Sequence, residues 1–303
     1  MPAHAVGTVS VAAQIALQNA LNGLLIGGTY ATVALGFSLV WGILNIVNLA
    51  HGALVMLGAY ATFWLFTLYG VDPLLSLPLT GAALFVFGYA LQRGIVNQVI
   101  RAPFLITFLL TFGLELLITN IAQAVWTADI RSVTTSYSGW SLSLGPLTLP
   151  VVRGASLLIA FVVAVLLHAL LTRTRLGTAI RATASDQEAA RLMGIPIARV
   201  YAVTFGIAAA SAGIAGGLIS LSFPIFPAMG AGYTLIAFVV CVLGGLGSVP
   251  GALLGGLVLG LLQTYAASWL GPNYDNIVAF SVLILVLLVR PAGLLGRAQR
   301  FRG

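Results

Sequence analysis

The chain contains no lysine, a single cysteine and few charges of either sign. Each shortage excludes something. Without lysine there is no P-loop, whose lysine must reach the phosphates of a nucleotide, and no Schiff-base amine. If ATP drives this protein, another chain binds it. With Cys241 alone, an intrachain disulfide and a thiolate metal cluster are both impossible. Charged residues make up 6% of the 303 positions, against about 25% in a soluble domain. That is too little to clothe a water-facing surface, so the solvent is mostly lipid. The first twelve residues lack Arg and Lys, hence the basic n-region of a cleaved signal peptide.

What is present is apolar. Hydrophobic residues reach 60% and mean hydropathy is +1.09. Apolar runs of about 17–25 residues recur without strand-like alternation, as expected of spanning helices rather than barrel strands. Spans are predicted near 50–69, 74–92, 103–126, 155–172, 200–220, 251–270 and 274–290. The run 11–45 is too long for one simple span and reads as two, near 11–29 and 30–45; region 232–245 is short. The expectation is an all-α, polytopic transmembrane bundle of about eight to ten spans, some short or broken, forming one transmembrane domain over 1–303.

The net charge of +7 comes entirely from arginine. Placing 173–199 in the cytoplasm puts Arg93, Arg101, Arg173, Arg175, Arg181, Arg191, Arg199, Arg290, Arg297, Arg300 and Arg302 on that side. Only Arg131 and Arg153 fall opposite. This is a positive-inside pattern, and it explains the basic balance without nucleic acid. The C-terminus is expected in the cytoplasm. The opposite loop 127–153, rich in Ser, Thr, Gly and Pro, is either a solvated loop or part of an outer docking surface.

Glycine punctuates the chain. Gly23 with Gly27, Gly213 with Gly217, Gly251 with Gly255 and Gly256 with Gly260 have the spacing that lets helix backbones approach in lipid. Gly244 to Gly251 is too broken for continuous helix, as, less strongly, is Trp41 to Asn45. Broken backbone at membrane depth is tolerated when buried in protein or lining a watery cavity.

The polar island 173–199 contains Ser185-Asp186-Gln187-Glu188-Ala189-Ala190-Arg191-Leu192-Met193-Gly194-Ile195-Pro196. Ser185 with Glu188 has a capping-box pattern, predicting a helix from Ser185. Gly194 and Pro196 predict its end. Ala189, Leu192 and Met193 form a small apolar face. Two turns of helix are unstable alone in water, so this face rests on a partner's groove or on the membrane surface.

Here the sequence resembles a family. Glu188-Ala189-Ala190 followed by Gly194 is similar to the EAA-type coupling motif of bacterial ABC importer permeases. Thr174 to Ala182 resembles the form found in permeases for branched-chain amino acids, the LivH type. Asn48-Leu49-Ala50-His51-Gly52 with Met56 to Tyr60, the segment Leu243 to Gly256, and Val289 to Leu294 resemble the same family in the same order. The resemblance implies an inner-membrane permease of the bacterial cell. It implies pairing with a second permease (a relative or another copy), with two cytoplasmic ATPases that bind ATP and magnesium, and with a periplasmic substrate-binding protein. ATPase coupling falls to Arg181, Ser185, Asp186, Glu188, Ala189, Ala190, Leu192 and Gly194. The cargo class is branched-chain or other hydrophobic amino acids, with urea or short amides as the alternative.

Polar residues inside the spans are the remaining candidates. Asn45, Asn48 and His51 recur every third position, one face if helical, and either line the translocation path or bond neighbouring helices. Glu115 lies near the middle of its span, where insertion scales charge about 2.5–3.5 kcal/mol for an ionised residue. It lines the path or bonds a neighbour, and Asn120 and Gln123 extend its stripe. No metal-ligand spacing and no Gly-x-Ser-x-Gly motif supports intramembrane catalysis, so no catalytic or metal residue is assigned. An ion-coupled transporter or a channel is the rival class; it would usually need ionisable pairs at the midplane.

Overall fold

The structure, a computed structural model, describes residues 11–100, 102–271 and 274–296. Arg101, Arg297, Arg300 and Arg302 of the arginine pattern lie outside the described residues. Among the described residues, twelve α-helices run α1 (Val11–Leu44), α2 (His51–Tyr69), α3 (Pro73–Leu91), α4 (Asn97–Val99), α5 (Phe104–Trp126), α6 (Val151–Arg173), α7 (Arg175–Ser185), α8 (Gln187–Leu192), α9 (Ile197–Ser222), α10 (Gly230–Gly244), α11 (Val249–Leu270) and α12 (Asp275–Val289). A π-helical turn, Gln92–Val96, joins α3 to α4. Eight helical segments are long and apolar enough to cross a membrane, and α12 is a shorter apolar one. The protein is therefore multi-pass, and the predicted spans lie close to α2, α3, α5, α6, α9, α11 and α12.

One expectation fails at the start. Residues 11–44 form a single helix of 34 residues, not two spans. At 1.5 Å per residue it is about 51 Å long, well beyond the hydrocarbon core of about 30 Å. Its glycines do not break it because they are contact points. A Cβ on Gly27 would stand 2.7 Å from Leu257 Cα, and one on Gly260 would stand 2.5 Å from Gly27 Cα. The two predicted glycine pairs, Gly23/Gly27 and Gly256/Gly260, are the two halves of one α1–α11 crossing. Dispersion between close backbones holds helices together where lipid offers no hydrophobic drive.

Buried α1, α2, α9 and α10 form the centre. α3 lies on α9, α11 lies along α1, and α5, α6 and α12 turn broad apolar faces outward. The helix ends sort into two groups. Gln18 donates to Thr148 O, which ties the start of α1 to a hairpin of β1 (Ser141–Leu144) and β2 (Leu147–Pro150). Asn97 donates to Ala198 O, which ties the start of α4 to the start of α9. Arg131 and Arg153 lie at the hairpin end. Arg93, Arg173, Arg175, Arg181, Arg191, Arg199 and Arg290 gather at the other, through α4, α7, α8 and the turn after α12. Among the described residues, the two groups deduced from sequence thus separate across the bundle.

The broken glycine segment is a turn, as expected. Gly245 (φ +106°) and Gly247 (φ +79°) adopt backbone that side chains rarely reach. Ser248 then caps α11 by accepting from Gly251 N at 3.1 Å. The chain after α12 fastens onto this turn, with Leu294 N donating to Leu243 O and Leu295 N to Gly244 O. This explains why the Val289 to Leu294 and Leu243 to Gly256 segments are distinctive together.

Candidate functional site

The polar island forms two helices. Thr174 starts α7, its Oγ1 accepting from Gly177 N at 3.0 Å. Ile180 and Thr183 are fully buried and anchor α7 on the bundle, leaving Arg181 outside. The predicted start at Ser185 is corrected. Ser185 is still the last residue of α7, whereas Asp186 has extended backbone (φ −155°) and caps α8. Its carboxylate accepts from Glu188 N at 2.9 Å and Ala189 N at 3.0 Å. A cap needs non-helical backbone with its side chain over the first free N–H groups; Asp186 meets that condition and Ser185 does not.

The end of α8 agrees with expectation. Met193 N donates to Ala189 O and Ile195 N to Ala190 O, and Gly194 turns the chain in the left-handed region at φ +80°. Of the eight predicted coupling residues, Arg181, Ser185, Asp186, Glu188, Ala189, Leu192 and Gly194 are exposed. Ala190 is buried and holds α8 against its neighbours. Leu192 and Met193 are 87% and 83% exposed. A six-residue helix, capped at both ends, thus holds two bare apolar side chains at the arginine-rich end.

The intramembrane candidates are arranged differently from the sequence expectation. Residues 45–50 are not helical, so Asn45, Asn48 and His51 do not share a helix face. Asn45 ends α1 with φ +53° and is exposed. Asn48 is 1% exposed, and neither of its amide atoms has a partner. His51 opens α2 with Nε2 2.8 Å from Val33 O and its ring edge-on to Phe37. Its bond to α1 is the interhelical kind.

Two threonines that read from sequence as bland members of apolar runs hold this break open. Thr111 Oγ1 donates to Val47 O at 3.0 Å, and Thr234 Oγ1 to Leu49 O at 3.1 Å. Thr234 Oγ1 also accepts from Gly52 N at 2.8 Å. Three backbone groups beside the missing helix turn, Val47 O, Leu49 O and Gly52 N, are thereby satisfied, as hydrocarbon depth requires. A second break, before α10, is pinned from the hairpin end: Arg131 N donates to Ile225 O at 2.9 Å and Ile225 N to Arg131 O at 2.8 Å. The Arg131 guanidinium covers Trp64 at 5.0 Å. The two breaks meet where Gly52 and Gly230 stack. His51 there lies against Gly36, about 12 Å along α1 from its Leu44 end.

Glu115 sits half-buried on α5, one turn beyond Thr111, whose hydroxyl bonds the 45–51 break. Asn120 is exposed and donates to Leu116 O at 2.7 Å. Outside the spans, burial and the nearby Asp72 carboxylate push the Tyr137 phenol up to about 12. Asp72 itself caps α3, accepting from Leu74 N.

Residues 19–287 match the family model described as branched-chain amino acid transport system / permease component. The chain is 34% identical over 296 residues to the high-affinity branched-chain amino acid transport system permease protein BraD of Pseudomonas aeruginosa, covering 93% of this chain and 96% of that one. It is 32% identical to the permease LivH of the Escherichia coli high-affinity system, with the same coverage. To LivM, a permease carrying the same system name in Escherichia coli, it is 26% identical over 88% of this chain and 67% of that one. No solved structure matches.

Proposed function

Because the chain belongs to the branched-chain amino acid transport system permease family, we propose that it is the membrane subunit of an ATP-driven importer for branched-chain and related hydrophobic amino acids, gripped by its ATPases at α8. The observation that carries the coupling role is α8 itself: exposed, capped by Asp186, stopped by Gly194, and presenting Leu192 and Met193 uncovered among the described residues. Such a helix is not stable alone, and an apolar groove on a partner completes it.

In this reading the arginine-rich end faces the cytoplasm of a cell whose inner membrane holds the protein. The hairpin end meets a substrate-binding protein outside. ATP and magnesium belong to two partner ATPases, consistent with a chain that lacks lysine. Two permeases share one system name among the relatives, which supports a second permease beside this one. The translocation path would draw on Asn45, Asn48, His51 and Glu115. Among these, Asn48 stands out because a buried amide without partners costs free energy unless something polar reaches it.

The test is copurification. With its ATPases coexpressed, the chain should bring them through detergent purification, and Leu192→Asp should lose them while still inserting normally. ATPase retention by Leu192→Asp and Met193→Asp alike would remove α8 from the coupling role.

A further inference from the structure

At the hairpin end of the bundle, around Arg131, three donors are out of solvent and have no partner. Arg131 is half-buried. Its Nη2 donates to Trp126 O at 2.9 Å, and its guanidinium lies 5.0 Å from the Trp64 ring and 5.5 Å from the Phe63 ring. Its Nε is unpartnered, and among the described residues no carboxylate pairs with it. Asp129, two residues earlier, is exposed and accepts from Thr127 Oγ1 instead. The other two donors are Trp64 Nε1 and the Tyr60 hydroxyl. Tyr60 stands one turn before Trp64 on α2, is 0% exposed, and stacks on Trp126 with ring centroids 4.3 Å apart.

The three share a chemistry. Indole and guanidinium N–H groups only donate, and a phenol can donate beside them. Buried polar groups in folded proteins are nearly always paired, so such a group of orphans points to a missing acceptor. A water molecule would accept from one or two of them but would leave the guanidinium without a counter-ion. A carboxylate has two oxygens with about four lone-pair sites and forms charge-assisted bonds to guanidinium. A carboxylate on the surface of a docked protein can meet Arg131 but cannot reach Tyr60, which exposes no surface. A small free acid can, once the Trp126 ring over Tyr60 tips aside. The surrounding walls are the rings of Tyr60, Phe63, Trp64 and Trp126, the kind of lining that takes a hydrophobic side chain.

We propose that Arg131, Trp64 and Tyr60 form a carboxylate-binding site for a hydrophobic amino acid at the hairpin end, with Phe63 and Trp126 holding its side chain. This rests on the reading that the chain imports such amino acids. It goes further by naming where the cargo's carboxylate is held. The pairing of Arg131 with Ile225 is made by backbone atoms alone, so changes to the Arg131 side chain leave those two bonds available to the break before α10.

The test uses a leucine analogue carrying a diazirine in its side chain, added at millimolar concentration to the complete permease–ATPase complex in nanodiscs, without binding protein. Adducts are located by peptide mass spectrometry. The wild-type chain should be labelled within 60–64 and 126–131. Leucine should compete, and isoamylamine, which is leucine without its carboxylate, should not. Arg131→Gln should lower the labelling about tenfold or more, as expected for losing a bond to a charged group. Trp64→Phe and Tyr60→Phe, which keep the rings and remove only the donors, should lower it in the same direction with unchanged thermal midpoints. Absence of label from these segments overturns the proposal, as does equal competition by isoamylamine. Unchanged labelling in both Trp64→Phe and Tyr60→Phe also overturns it, and leaves those donors to water. If Arg131→Gln keeps its label but no longer captures the binding protein in a pull-down, the guanidinium serves docking and the site is again overturned. ATP-driven leucine uptake by the wild-type complex tests the proposed function separately, because it does not depend on where the label falls.

Discussion

At the scale of the residue, the proposed coupling helix depends on two positions with different physics. Asp186 satisfies two N–H groups at the start of α8; removing such a cap costs about 1 kcal/mol. That is a large fraction of what a six-residue helix has. Asp186→Ala should therefore loosen α8, and ligand-stimulated ATPase activity of the reconstituted complex should fall, while Asp186→Asn, still an acceptor, retains most of it. Ser185→Ala should do neither, because Ser185 is not the cap. Gly194 is needed for its φ of +80°, where an L side chain costs roughly 1–2 kcal/mol. Gly194→Ala should reduce stimulated ATPase activity without changing membrane insertion, judged by the yield of folded protein. The sequence made Gly194 legible because a left-handed stop follows from a glycine before Pro196. It misplaced the cap by one residue because Ser185 and Asp186 are both good caps, and only the backbone angle separates them.

At the scale of the element, the two broken segments are the informative part. Thr234 serves both as acceptor for Gly52 N and donor to Leu49 O. Thr234→Val keeps the shape and removes both bonds, leaving buried backbone groups unpaired at about 1–3 kcal/mol. The expected outcome is a lower thermal midpoint in detergent, larger than that of Ser220→Ala, whose hydroxyl bonds only within its own helix. Sequence could not reveal this, since a threonine in an apolar run is equally at home bonding the carbonyl four residues back. The hairpin was missed for a related reason. Its strands are four residues each and lie in a Ser- and Gly-rich loop, where Leu142 and Leu149 alternate too briefly to stand out. Most spans were legible because hydropathy sums over about twenty residues; α1 was divided because its apolar run of about 35 residues is longer than one simple crossing needs.

At the scale of the whole molecule, close backbone crossings join the parts. The α1–α11 crossing leaves no room at Gly260, where a Cβ would stand 2.4 Å from Gly23 O. Gly260→Leu should prevent accumulation of folded protein, measured by fluorescence-detected size exclusion. This differs from the coupling variants, which fold. The same bundle sets charge at one end and a hairpin at the other, so α8 and the hairpin are fixed relative to each other through α6 and α9. The most direct test of the central claim is amino-acid uptake into proteoliposomes containing the chain with its second permease, ATPases and binding protein. Uptake of leucine should require internal or external ATP on the side of α8, and Leu192→Asp should abolish it in protein that is inserted and folded. Uptake that continues without ATP and follows an ion gradient would contradict the account.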